Sequence, residues 1–263
     1  VIALLVAWEL VAYRSPVDAG THRHTIPTIQ DVVSAFKLLG YYWKGGFGVK
    51  ATSEGGPLTY DGAILSLIYN TFVTSERLVV GFCLGVAAGL AVAIGISWST
   101  VLRGMFAAPA HVARMLPLLA MVPLFQLWFG LSAEGVIVFV AFSVAVIIFA
   151  VALNAIENVP EFYMQFASSL GASATRRYLT VLLPASFPQI RTGLLLALGF
   201  AWSGTIAGEF LGPTYGLGRV VLNADYFGRT NLMMLVGLVV VGYAALSYAL
   251  ASHLLRWLTR WAD

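Results

Sequence analysis

The sequence predicts an all-α integral membrane protein, and three observations carry that prediction. Of its 263 residues, 59% are apolar and only 10% charged, with a mean hydropathy of +0.85. Soluble domains carry about a quarter charged residues, and a water-soluble core does not hide this much apolar sequence. The apolar residues gather in long runs, several of them near the roughly 20 residues a helix needs to cross a hydrocarbon core of about 30 Å. Those runs also hold regularly spaced glycines and clustered prolines, which in lipid accompany close helix packing and broken helices.

Taken in order, residues 1–13 are apolar apart from Glu9 and read as the end of a first span that is truncated in this chain. Residues 14–61 are polar and rich in glycine, with Pro27 and Pro57. A weakly helical segment at 31–39 places Val32, Val33, Phe36 and Leu39 on one side, suited to a membrane surface. His22 and His24 are separated by one residue but lack an evident third metal ligand, so they read as solvated loop histidines. Residues 65–97 form a long helical stretch whose uncharged part, 78–97, is long enough to span. Gly81, Gly85 and Gly89 recur every fourth residue there and predict a close helix contact. Residues 98–104 read as a short link carrying Arg103.

The third expected span, 106–131, contains Pro109, Pro117 and Pro123. Each proline removes a helix hydrogen bond, so a broken helix beside a permeation path is expected. Spans four to six are expected at 133–155, 187–211 and 232–255, with residues 212–231 as a loop. Arg256 and Arg260 follow the last span, with Trp257 and Trp261 as interfacial anchors.

Between the fourth and fifth spans, residues 160–190 are too polar and too broken to cross a bilayer. Pro160 suits the start of a helix. Phe162, Phe166 and Leu170 then fall four residues apart on one face. Gly171 suits the left-handed position after a helix end, and Ser173 suits the cap of a second short helix ending before Pro184. The order Ala167, Leu170-Gly171-Ala172-Ser173, Leu182-Leu183-Pro184-Ala185 and Pro188-Gln189-Ile190 resembles the cytoplasmic Glu-Ala-Ala loop of bacterial ABC importer permeases. Gln165 and Phe166 stand where that pattern has Glu and its first Ala. The resemblance extends through Ser75-Glu76-Arg77-Leu78-Val79-Val80-Gly81-Phe82, through Val122-Pro123-Leu124-Phe125-Gln126-Leu127-Trp128-Phe129-Gly130, and through Gly216-Leu217-Gly218. It is strongest to the nitrate, sulfonate and taurine importer permeases.

That resemblance implies a single six-span permease domain in a bacterial cytoplasmic (inner) membrane. Residues 14–61 would form an extracytoplasmic loop and residues 157–186 a cytosolic ATPase-docking loop. Docking would involve Phe162, Gln165, Phe166, Ala167, Leu170, Gly171, Ala172, Ser173 and Pro184. The implied partners are cytosolic ABC ATPase subunits, a second permease subunit (a homodimer), an extracytoplasmic substrate-binding protein and membrane lipid. The implied solute is a small anion of the sulfonate, taurine or nitrate type.

Ionisable and polar residues inside spans are functional candidates. Arg77, Gln126, Trp128, Asn154, Trp202 and Glu209 are therefore candidates for the translocation path or its gate, with Arg77 and Glu209 expected to pair near the outer mouth. His111, near Arg114, reads as a packed or interfacial histidine. No Gly-x-x-x-x-Gly-Lys-Ser/Thr, His-Glu-x-x-His or Cys-x-x-Cys motif occurs, so no catalytic residue, metal site or cofactor is expected. The lone Cys83 permits no intrachain disulfide. The net charge of +3 comes without a basic, aromatic-laced cluster, so nucleic acid is not an expected partner. Two other classes share the composition. A secondary carrier lacking an ATPase partner usually has paired repeats with matching broken helices, and the three-proline span has no matching half. A membrane enzyme needs a nucleophile and base, which the sequence does not pair.

Overall fold

The computed structural model describes residues 2–16, 25–113, 115, 117–210 and 212–260. His22, His24 and Arg114 lie outside them. The helices are α1 (Ile2–Arg14), α2 (Ile29–Ser34), α3 (Tyr60–Trp98), α4 (Thr100–Ala113), α5 (Leu118–Phe129), α6 (Ala133–Glu157), α7 (Glu161–Ser169), α8 (Ala174–Arg177), α9 (Leu183–Phe210), α10 (Leu217–Tyr226) and α11 (Thr230–Leu258). Among the described residues there is no strand, only an isolated bridge between Gly46 and Val49. Among the described residues, four helical stretches are long and apolar enough to cross a membrane: Tyr60–Trp98, Ala133–Glu157, Ala174–Phe210 and Thr230–Leu258. The 39 residues of α3 extend about 58 Å, twice the hydrocarbon thickness, so much of the helix stands outside it.

The third expected span is broken, as the prolines predict, and the structure departs from the sequence reading in three other places. The third expected span is two helices, α4 and α5, of 14 and 12 residues. Only Pro117 marks the break: it caps α5 with extended backbone, while Pro109 and Pro123 stay inside helices. The link before α4 shrinks to Ser99, because helix already begins at Thr100. The second short helix after Gly171 does not end before Pro184. A π-helical turn at Tyr178–Leu182 joins α8 to α9, and the Leu183 N–H reaches back five residues to the Tyr178 carbonyl. That wider turn precedes Pro184, the point where a proline ring crowds an ordinary α-turn. Finally, the loop expected at 212–231 contains α10.

The chain divides into two compact units: residues 1–76 with 209–244, and residues 77–208 with 245–263. In the first unit, the Trp8 indole N–H donates to the Pro27 carbonyl, and the Ile29 N–H donates to the Glu9 carboxylate, tying α1 to the start of α2. Thr28 and Asp31 form a reciprocal capping box on α2, which passes directly into a 3-10 turn at Ala35–Tyr42. Beyond it, the Trp43 indole donates to the Val49 carbonyl and closes a small glycine loop.

In the second unit α6 is the central helix. Gly81, Gly85 and Gly89 of α3 lie against Val140, Val144 and Ile148 of α6, so close that a Cβ on any of them would stand 3.0 Å or less from a side-chain atom of α6. The expected stripe is thus a helix contact with no room for a methyl group. Gly193 and Gly208 of α9 meet Val151 and Val136 of α6 in the same way. Phe125 of α5 packs edge-on against Phe139 of α6, 5.2 Å between centroids.

Candidate functional site

The corner between α6 and α9 is built from local signals. Pro160 is the cap residue of α7, which ends in a full Schellman motif. The Gly171 N–H donates to the Ser168 carbonyl (2.9 Å), and the Ala172 N–H donates to the Ala167 carbonyl (3.1 Å). Gly171 carries the positive φ of +78° that the motif requires. Ser173 then caps α8, its hydroxyl accepting from the Arg176 N–H. Arg177 donates to the Ser168 hydroxyl (2.8 Å) and braces the two helices against each other.

This corner presents an apolar face to solvent. Phe162, Phe166 and Leu170 are 66%, 59% and 73% exposed, although each is large and apolar. Phe162 and Phe166 stack at 6.3 Å, and Ala167 turns the opposite side of α7 inward. Gln165 is exposed, Ala172 half-buried, and Pro184 is the second residue of α9. Tyr178, at the first position of the π turn, ties the corner to the end of α3. Its hydroxyl donates to the Ile94 carbonyl (3.2 Å) and is hydrogen-bonded to the Ser97 hydroxyl, while Trp98 packs edge-on against its ring. Nothing in the sequence singled out Tyr178, because its partners lie 81 and 84 residues away.

A second arrangement lies in the first unit. Glu209 is completely buried, and its carboxylate acts as a long-range cap for α10. It accepts from the Gly218 N–H (2.9 Å) and from the Thr74 hydroxyl (3.0 Å). The Thr74 oxygen accepts from the Leu217 N–H, and the Asn70 side-chain oxygen accepts from the Gly216 N–H, both at 2.8 Å. Three successive amides at the start of α10 are thus satisfied by side chains of α3 and α9. A negative carboxylate at a helix N-terminus is electrostatically favourable. Thr74 and the cap role of Glu209 were not legible beforehand, since Thr74 and Leu217 are 143 residues apart.

The other path candidates lie in the second unit. Arg77 is buried in the second unit. Trp202 is buried, and its indole donates to the Ser247 hydroxyl at 2.8 Å, joining α9 to α11. Trp128 is exposed, while Gln126 and Asn154 are half-buried. None of them lines the cavity of about 480 Å³ beside the α4–α5 break, whose walls include Pro117, Leu118, Phe139, Ser143, Phe200 and Ser203. That volume falls within the range of small-molecule sites, about 300–1,000 Å³.

Residues 81–263 match the family described as binding-protein-dependent transport system inner membrane component. The chain belongs to this family. It is the permease component of an ABC importer and a multi-pass membrane protein. It is 32% identical over 186 residues to the taurine transport system permease protein TauC of Escherichia coli (strain K12), covering 70% of this chain and 67% of that one. To the putative aliphatic sulfonates transport permease protein SsuC of Bacillus subtilis (strain 168) it is 31% identical over 224 residues, covering 81% of each. The fold is similar to a chain of the inward-facing MetNI methionine ABC transporter, with a TM-score of 0.61 and 20% identity over 72% of this chain and 94% of that one.

Proposed function

We propose that this permease couples a cytosolic ATPase to the import of a small anion of the sulfonate, taurine or nitrate type across a bacterial inner membrane. The observation that carries the reading is the exposed face of Phe162, Phe166 and Leu170 on a rigidly capped corner. A short amphipathic helix with three exposed anchors suits a helix-in-groove contact, here with the ATPase. Tyr178 then links that contact to the end of α3, so movement of the ATPase is passed into a long apolar helix. In this reading two copies of the chain enclose the path, and the cavity at the α4–α5 break is part of it. Residues 14–61 form an extracytoplasmic loop and meet a substrate-binding protein. ATP hydrolysis belongs to the partner. The small-anion assignment draws on the similarity to the taurine and aliphatic sulfonates permeases.

The test is co-purification of the ATPase with a Phe166→Asp variant. An unpaired carboxylate in an apolar groove costs several kcal/mol, so the ATPase is expected to be lost while the permease keeps its melting temperature. Retention of the ATPase at wild-type levels would remove the docking role from this face.

A further inference from the structure

The first unit holds a second cavity of about 200 Å³, whose lining includes Tyr42, Lys44, Ser53, Asn70, Tyr215 and Arg219. Among the described residues no carboxylate lines it, and two of its side chains are cationic. Among the described residues, neither Lys44 nor Arg219 has an acidic group within 4.0 Å. The Lys44 ammonium is held 3.8 Å from the centroid of the Tyr69 ring, and Tyr215 packs edge-on against that ring at 5.3 Å. A third cation backs one wall, where the Arg229 guanidinium lies 4.6 Å from the centroid of Tyr41. Burial raises the Tyr42 phenol above its ordinary value against the pull of Arg229, so it remains a neutral O–H. Asn70, buried at the pocket, also accepts the Gly216 N–H and so joins the pocket to the α10 cap.

We propose that this pocket is a binding site for a small oxyanion, with Lys44 and Arg219 as its charged ligands. Lys44, held over the Tyr69 ring, and Arg219, with no acidic group within 4.0 Å of either among the described residues, favour an anion over a neutral or cationic solute. The volume is below that of drug-sized ligand sites, about 300–1,000 Å³. It therefore suits a group the size of a sulfonate or nitrate. The proposal deepens the anion-import reading and rests on it: solute would occupy this pocket on the extracytoplasmic side before reaching the path.

The experiment is calorimetric titration of the permease–ATPase complex in lipid nanodiscs with methanesulfonate, and in parallel with dimethyl sulfone, its uncharged near-isostere. No binding protein is present. Methanesulfonate is expected to bind and dimethyl sulfone not to. Lys44→Gln and Arg219→Gln are each expected to weaken binding about 10- to 100-fold, the worth of one hydrogen bond to a charged group. Lys44→Arg and Arg219→Lys, which keep the charge, retain binding and separate ligand loss from misfolding. Absence of saturable heat in the wild type, equal binding of dimethyl sulfone, or unchanged binding in the doubly substituted Gln variant overturns the site. If that double variant loses only capture of the binding protein and still binds methanesulfonate, the pocket serves a protein carboxylate and the proposal also falls. Reconstituted uptake separates the two readings. Import of an uncharged solute, with methanesulfonate binding still dependent on Lys44 and Arg219, ends the anion-import reading and leaves the site standing. Sulfonate import with binding indifferent to both residues does the reverse.

Discussion

Gly171 and Gly216 sit at helix ends in different parts of the molecule, both at positive φ, and they are glycine for different reasons. At Gly171, φ is +78° and a Cβ would meet nothing within 4 Å. Only the backbone conformation demands glycine there. At Gly216, φ is +129° with ψ of 159°, and a Cβ would also fall on the carboxylate of Glu209. Here conformation and space coincide, and the neighbour that must move is a buried acidic side chain that caps α10. A solvent-facing corner tolerates local error because its surroundings are open. A buried polar cap does not, since moving Glu209 disturbs its hydrogen bonds to both Gly218 and Thr74.

The sharpest way to break this comparison is Gly216→Ala. That backbone region is nearly exclusive to glycine and costs about 1–3 kcal/mol for another residue. Displacing the Glu209 carboxylate from its donors adds a similar amount, about 1–3 kcal/mol. At roughly 2–4 °C per kcal/mol, the melting temperature followed by tryptophan fluorescence in detergent should fall by about 10 °C. A fall no larger than that of Gly171→Ala would mean that Glu209 adapts freely and the contrast is false. Gly171→Val tests the other side. The left-handed conformation disfavours a side chain by about 1–2 kcal/mol. At the same conversion melting should fall by only about 2–8 °C, while ATPase capture should drop about 5- to 30-fold. The smallest effect is expected for Ser173→Ala, which removes one cap hydrogen bond from a helix of four residues. A loss of about 0.5–1 kcal/mol should appear as two- to five-fold faster amide exchange at Arg176, with ATPase capture intact.

The same contrast explains what was readable in the sequence. Pro160, Gly171 and Ser173 act on their immediate neighbours, so their positions in the chain reveal the corner. The glycines at 81, 85 and 89 recur at a helical period, so their shared face could be inferred, though not that α6 would supply its partner. The start of α10 has no local Ser, Thr or Asp cap. Its cap comes from Glu209, on the preceding helix, and from Thr74, on α3, which is why residues 212–231 read as a loop. The three prolines at 109, 117 and 123 announced a break but not its place. Pro123 stays within α5 and Pro109 within α4, and of the three only Pro117 lies between the two helices.

The π turn at Tyr178–Leu182 sets a phase angle. A π turn amounts to one residue inserted into an α-helix, and one residue corresponds to about 100° of rotation. Everything on the α8 side is therefore dialled about 100° around the axis from where an uninterrupted helix would have put it. Deleting one residue within this turn would leave both helices intact and yet rotate Ser173, Arg176 and Arg177 away from their present bearing. The direction in which the corner faces is thus set by a single residue of helical slack, positioned where the corner becomes a membrane helix.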